Sequence, residues 1–120
     1  MHYMFNPNES APFTYIHPLK LKKINALLSR PIPDFVERIY LFGSSLDLTC
    51  QPDSDIDLYF ITESGDPDEY DILHPLFSAA KPVDVLIDNH EGFNALASEK
   101  DTVERTVSEW GLCIYEKKVG

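Results

Sequence analysis

Residues 41–58 read LFGSSLDLTCQPDSDIDL, and they contain the clearest signals of the fold. The β-forming run from Arg38 to Phe42 leads into it and predicts a short buried strand that ends at Gly43. A second strand is predicted from Asp55 to Thr62, where the β-forming residues return. Between them lies a polar loop with little periodicity, so we expect two strands joined by an irregular connection.

Two carboxylates stand at alternate positions at the start of the second predicted strand. Side chains alternate along a strand, so Asp55 and Asp57 are expected on one face while Ile56 and Leu58 lie on the other. Adjacent negative charges repel each other and fit strands poorly. A bound cation would offset that repulsion, and oxygen-only ligands suit Mg²⁺ or Mn²⁺.

A third carboxylate, Asp84, interrupts another apolar strand that we predict from Pro82 to Ile87. If this strand neighbours the second, the three acids converge on one side of the sheet. Such a site can hold two metal ions and support an in-line displacement at phosphorus. Alternate acids alone are more typical of a solvent-facing strand. The third acid and the Gly-Ser turn favour the metal-site interpretation.

The turn Gly43-Ser44-Ser45 follows the first strand and is expected to open a short helix. Backbone N–H groups at a helix start bind anions, and glycine permits the close approach of a phosphate. The serine hydroxyls of Ser44 and Ser45 add hydrogen-bond donors. A Gly-Ser pair by itself is more often a plain turn, so its value here comes from preceding the acids.

The rest of the chain alternates helical and strand patterns. We interpret residues 1–17 as an irregular N-terminal arm and residues 18–117 as one domain. Apolar spacing predicts a helix over 18–29, a helix after a turn at 64–67, helix in one or two pieces over 91–110, and a final strand over 112–115. The fold class is therefore α/β (α+β), with a mixed sheet of about four strands and helices packed on it.

Local signals also predict how the later helices begin and which faces they bury. Asp66 is expected to cap a helix that starts at Pro67, and Pro75 is expected to kink or break that helix. Asp101 is expected to start the last helix, with Glu104 completing a capping box. That helix is expected to bury the face that carries Val103, Val107 and Trp110.

Charge and cysteine content narrow the function class. The chain carries a net charge of −10, which is unfavourable for binding duplex nucleic acid. Its two cysteines, Cys50 and Cys113, have no metal or redox spacing, and we interpret them as free thiols. The first residues lack the features of an export signal, and no apolar run is long enough to span a membrane. We therefore expect a cytoplasmic protein.

The run Leu41-Phe42-Gly43-Ser44, ten residues, Asp55-Ile56-Asp57-Leu58, with Val83-Asp84-Val85 on a later strand, resembles the DNA polymerase beta-like nucleotidyltransferase superfamily. The small size and the ten-residue gap look most like the minimal nucleotidyltransferases, or MNT proteins. The resemblance implies transfer of a nucleotide from ATP or another NTP to an acceptor. Asp55 and Asp57 would hold the metal that carries the triphosphate, Asp84 a second metal near the acceptor hydroxyl, and Gly43 and Ser44 the β- and γ-phosphates.

MNT proteins often act as antitoxins that add AMP to a tyrosine of a HEPN-domain ribonuclease, so the resemblance also implies a HEPN partner on a separate chain. One feature departs from the family. Many relatives carry an arginine shortly after the Gly-Ser, whereas residues 45–54 contain no basic residue. Lys20, Lys22, Lys23 or Lys81 could compensate. The alternative function is a catalytically weak or inactive protein that acts by binding a partner.

Overall fold

The computed structural model describes residues 18–43 and 55–117. The strands are β1 (Val36–Phe42), β2 (Ile56–Thr62), β3 (Val83–Asp88) and β4 (Leu112–Glu116). The α-helices are α1 (Pro18–Leu28), α2 (Glu69–Phe77), α3 (His90–Ala97) and α4 (Val103–Trp110), and a 3-10 turn (Ser78–Ala80) follows α2. The predictions for the arm at 1–17 and for Ser44, Ser45 and Cys50 lie outside the described residues.

The four strands form one mixed sheet in the order β3-β2-β1-β4. Strand β1 pairs antiparallel with both β2 and β4. Strand β2 pairs in parallel with β3, through a connection that contains α2. This arrangement confirms the predicted α+β class and the mixed sheet of four strands. It also confirms that the two acid-bearing strands are neighbours.

Helices α1 and α2 cover one face of the sheet. Ile24 from α1 and Phe77 from α2 belong to a buried cluster with Leu58 and Phe60 of β2. The rings of Phe60 and Phe77 meet edge to face, with centroids 6.5 Å apart. The even-numbered side chains of β2 therefore point into this layer, as the alternation along the strand requires.

Helices α3 and α4 cover the opposite face. Tyr59 of β2 packs edge to face on Phe93 of α3, with ring centroids 5.1 Å apart, and Val107 of α4 joins the same buried cluster. The Tyr59 hydroxyl donates a hydrogen bond of 2.7 Å to the Glu104 carboxylate of α4. The odd-numbered residues of β2 thus face this second layer, and Asp57 shares that face with Tyr59.

Helix α2 begins at Glu69, two residues later than predicted. The capping chemistry nevertheless involves Asp66. Its carboxylate accepts a hydrogen bond from the Asp68 backbone N–H at 2.9 Å, and the Glu69 carboxylate accepts one from the Asp66 N–H at 3.0 Å. The helix includes Pro75 and ends two residues later at Phe77, where the 3-10 turn takes over.

The prediction that Asp101 starts α4 is wrong, and Thr102 is the capping residue. The Thr102 hydroxyl accepts a hydrogen bond from the Arg105 N–H at 3.0 Å and donates one of 2.8 Å to the Leu96 carbonyl. Asp101 has a φ of 64°, in the left-handed region that suits a turn between helices rather than a helix start. Both residues are common caps, so the sequence pattern alone did not separate them.

We expect Thr102→Ala to lower the free energy of unfolding by about 1 kcal/mol, because an N-cap side chain is lost. Asp101→Gly is the matched control, since glycine adopts a positive φ without steric cost and the cap is untouched. Urea denaturation of both variants measures the difference. A larger loss for Asp101→Gly than for Thr102→Ala would contradict this assignment of the cap.

The predicted buried face of α4 is wrong for two of its three residues. Val107 is 1% exposed, but Val103 is 44% exposed and Trp110 is 76% exposed. Helical spacing shows which residues share a face, but it does not show how far the surface beneath that face extends. Among the described residues, no helix is long and apolar enough to cross a bilayer.

Candidate active site

Strand register brings the acidic residues and the glycine turn to one edge of the sheet. Asp57 lies opposite Phe42 in the antiparallel β1–β2 pair and opposite Asp84 in the parallel β2–β3 pair. Gly43 follows Phe42 directly, and Asp55 immediately precedes β2. The end of β1 and the starts of β2 and β3 therefore lie side by side, as the sequence pattern predicted.

The environment of Asp57 shows that the acids act on each other. Asp57 is half-buried, while Asp55 and Asp84 are exposed. Burial, followed by the negative charges of Asp84 and Asp55, raises the pKa of Asp57, and the positive charge of Lys20 opposes this. The three carboxylates therefore interact electrostatically, and the negative charges of Asp84 and Asp55 disfavour the ionised form of Asp57.

Gly43 is held in contact with the Asp57 side chain. Its φ is 75°, a conformation that residues with a Cβ rarely adopt. A Cβ placed on Gly43 would also collide with the Asp57 carboxylate oxygen Oδ2. The structure thus gives a reason for glycine that the sequence did not show: this position must clear a carboxylate as well as turn the chain.

Of the four lysines that could compensate for the basic residue missing from the loop, Lys20 contacts the acidic segment. Its side chain is fully buried, and its Nζ donates a hydrogen bond of 3.4 Å to the Asp55 backbone carbonyl. A signal was present in the sequence, because Lys20, Ile24 and Leu27 fall at helical spacing on one buried face. Lys22 and Lys23 on the same helix concealed it, because the sequence does not show which of the three lysines is buried.

The three carboxylates supply the type of donor atom that a divalent metal ion prefers. Asp55, Asp57 and Asp84 offer hard oxygen ligands, and their mutual repulsion is the condition that a cation relieves. Across residues 18–43 and 55–117, no group of three or more His, Cys, Asp or Glu side chains is arranged closely enough to hold a metal ion as it stands. The metal role of the three carboxylates therefore rests on their chemistry and register, and it stays a prediction.

A second charged region lies at the opposite edge of the sheet, around a cleft of about 310 Å³. Its lining consists of Glu37, Arg38, Glu63, His90, Glu116 and Lys117. Its polar groups pair within it: Arg38 lies 3.3 Å from Glu116, and the His90 imidazole contacts the Glu37 carboxylate. These groups therefore have partners of complementary chemistry, whereas the acids at the Gly43 edge repel each other. We therefore take the Gly43 edge as the candidate active site.

A protein-family model described as polymerase beta, nucleotidyltransferase, matches residues 22–119 of this chain. That match covers most of the sequence and includes all three acids and the Gly-Ser turn. The protein therefore belongs to the polymerase beta nucleotidyltransferase family, whose domain is associated with nucleotidyl transfer in general. Comparisons with curated proteins and with solved structures gave no match.

Proposed function

We propose that this protein is a metal-dependent nucleotidyltransferase that transfers a nucleotide, AMP from ATP in the first instance, to an acceptor hydroxyl. The observation that carries the proposal is the strand register. Asp57 pairs with Asp84 on one side and with Phe42, the residue before Gly43, on the other. Family membership supports the reaction class, and this register supports the choice of Asp57 and Asp84 as residues that would perform it.

Each residue of the site has a role in that reaction. The acceptor oxygen bonds to the α-phosphorus of the nucleotide, the bond to the bridging oxygen breaks, and pyrophosphate leaves. Asp84 is exposed and would accept the proton of the acceptor hydroxyl. Asp55, Asp57 and Asp84 would hold Mg²⁺ or Mn²⁺, which neutralises phosphate charge when bound. Gly43, Ser44 and Ser45 would position the phosphates with their N–H and hydroxyl groups.

The acceptor hydroxyl that we propose lies on a partner protein. A HEPN-domain toxin with a modifiable tyrosine is the partner that the resemblance implies, which would make this chain an antitoxin. The net charge of −10 also suits a basic partner, and it favours the alternative in which the fold acts by binding alone.

We expect the wild-type chain to transfer label from α-labelled ATP to a HEPN-type partner in the presence of Mg²⁺ or Mn²⁺, and to lose transfer when EDTA removes the metal. Asp55→Ala should abolish labelling, because it removes a carboxylate from the site. Asp71→Asn on the exposed surface of α2 is the matched control and should label normally.

The same assay separates the two functions. Transfer that depends on Asp55 supports catalysis. No labelling by the wild-type chain, combined with neutralisation of the partner by Asp55→Ala, would establish the binding function and reject the catalytic one. Label on the nucleotidyltransferase chain itself would reject the partner as acceptor.

A further inference from the structure

We infer that Lys20 is a built-in counter-charge of the acidic site: its buried ammonium supplies a fixed positive charge beside the Asp55–Asp57–Asp84 cluster and holds the start of β2 in place. This inference rests on the proposed function only in naming the cluster as the active site. The stabilising role itself belongs to the protein without any ligand.

The position of Lys20 supports this role. The side chain is fully buried, yet its Nζ reaches the Asp55 carbonyl at the first residue of the acidic segment. Lys20 approaches from the α1 layer, whereas Asp57 faces the layer of α3 and α4. The ammonium and the Asp57 carboxylate therefore come from opposite layers of the sheet, and the ammonium donates a hydrogen bond to the Asp55 backbone.

The energetic cost of burying the Lys20 ammonium also supports a role as a counter-charge. A buried ammonium loses its hydration, which is costly unless nearby negative charge or hydrogen bonds compensate. The Asp55 carbonyl accepts a hydrogen bond from the ammonium, and the charge of Lys20 favours the ionised form of Asp57.

The other lysines considered in the sequence do not share this position. Lys22 and Lys23 line a separate surface pocket with Leu19 and Ala79. Lys81 is exposed ahead of β3. The structure therefore selects Lys20 from the four, and Lys22 provides a control on the same helix.

The test is a double-mutant cycle on the full chain in EDTA buffer, with melting temperature as the readout. The variants are Lys20→Met, Asp57→Asn and the combination of both, with Lys22→Met as the control. If Lys20 acts as a counter-charge, Lys20→Met lowers the melting temperature of the wild-type chain by about 4 °C more than it lowers that of the Asp57→Asn chain. Lys22→Met should have the same small effect in both backgrounds.

Equal losses in the two backgrounds would show that Lys20 acts through packing alone and would overturn the inference. If Lys20→Met does not fold in the wild-type background, Lys20→Gln replaces it, because glutamine keeps a hydrogen-bond donor without the charge. A smaller loss of melting temperature for Lys20→Gln in the Asp57→Asn background than in the wild-type background supports the counter-charge, and equal losses overturn it.

A titration with MgCl₂ or MnCl₂ alone then separates this inference from the proposed function. Removing a nearby positive charge should lower the metal concentration at the midpoint of the melting-temperature rise by about tenfold in Lys20→Met. A wild-type chain whose melting temperature does not change with metal would reject the metal site. The outcome of the cycle in EDTA would still decide the role of Lys20.

Discussion

Asp57→Asn should reduce nucleotide transfer by more than about 100-fold, since even residues behind the ligands of a metal site change affinity or activity by 10- to 100-fold. The same substitution should raise the melting temperature of the metal-free protein. Asp57 is the half-buried member of the cluster, and its ionised form is repelled by Asp84 and Asp55. Asparagine keeps the size and removes the charge, so the variant loses function and gains stability.

The sign of the pH dependence follows from the direction of the shift. Burial and the neighbouring acids raise the native pKa of Asp57 above its value in the unfolded chain. The native state therefore binds the proton more tightly, and wild-type stability falls as pH rises from the unfolded pKa, about 3.9, to the raised native value. Above that value the cost is constant. The advantage of Asp57→Asn is thus present at pH 7 and shrinks as the pH falls through this window.

Thermal melts of wild-type and Asp57→Asn protein in EDTA, repeated from pH 7 downward, measure this effect. Asp71→Asn removes one exposed carboxylate from α2 and controls for the change in net charge. An Asp57→Asn protein that is less stable than wild type at pH 7 would show that hydrogen bonds to the carboxylate outweigh the repulsion. An Asp57→Asn protein that keeps full transfer activity would remove Asp57 from the active site.

Gly43→Ala should lower both stability and transfer. A residue with a Cβ at φ 75° costs about 1–2 kcal/mol, and here the Cβ would also collide with the Asp57 carboxylate. To accept the methyl group, either the turn or the carboxylate must move. Because about 1 Å of misplacement can cost roughly 100-fold in rate, we expect transfer to fall on that order in the folded fraction.

Gly65→Ala provides a matched control. Gly65 has a φ of 67°, and a Cβ there would clash with the backbone of Asn89, at the opposite end of the sheet from the acids. Gly65→Ala should therefore be at least as destabilising, while the folded protein keeps its activity. If both variants are folded and lose the same activity, the loss in Gly43→Ala is not specific to the contact of Gly43 with Asp57.

Much of the fold was predictable from local patterns. The four strands appear within one or two residues of their predicted bounds, because β-forming runs ended by Gly or Pro are strong local signals. Helix starts were less predictable. Asp101 and Thr102 are adjacent and both suit an N-cap, and only the backbone conformation of each decides between them.

Local patterns in the sequence identified the candidate site residues: three aspartates on two strands behind a Gly-Ser turn, with alternation placing Asp57 on the face opposite Ile56 and Leu58. Tertiary contacts were needed to show that Asp57 and Asp84 stand in register, that Gly43 must clear a carboxylate, and that Lys20 is buried while Trp110 is not. The difference arises from how far apart along the chain the interacting residues are. Alternation and turn propensity act between chain neighbours, whereas register, burial and charge coupling depend on residues that are distant along the chain.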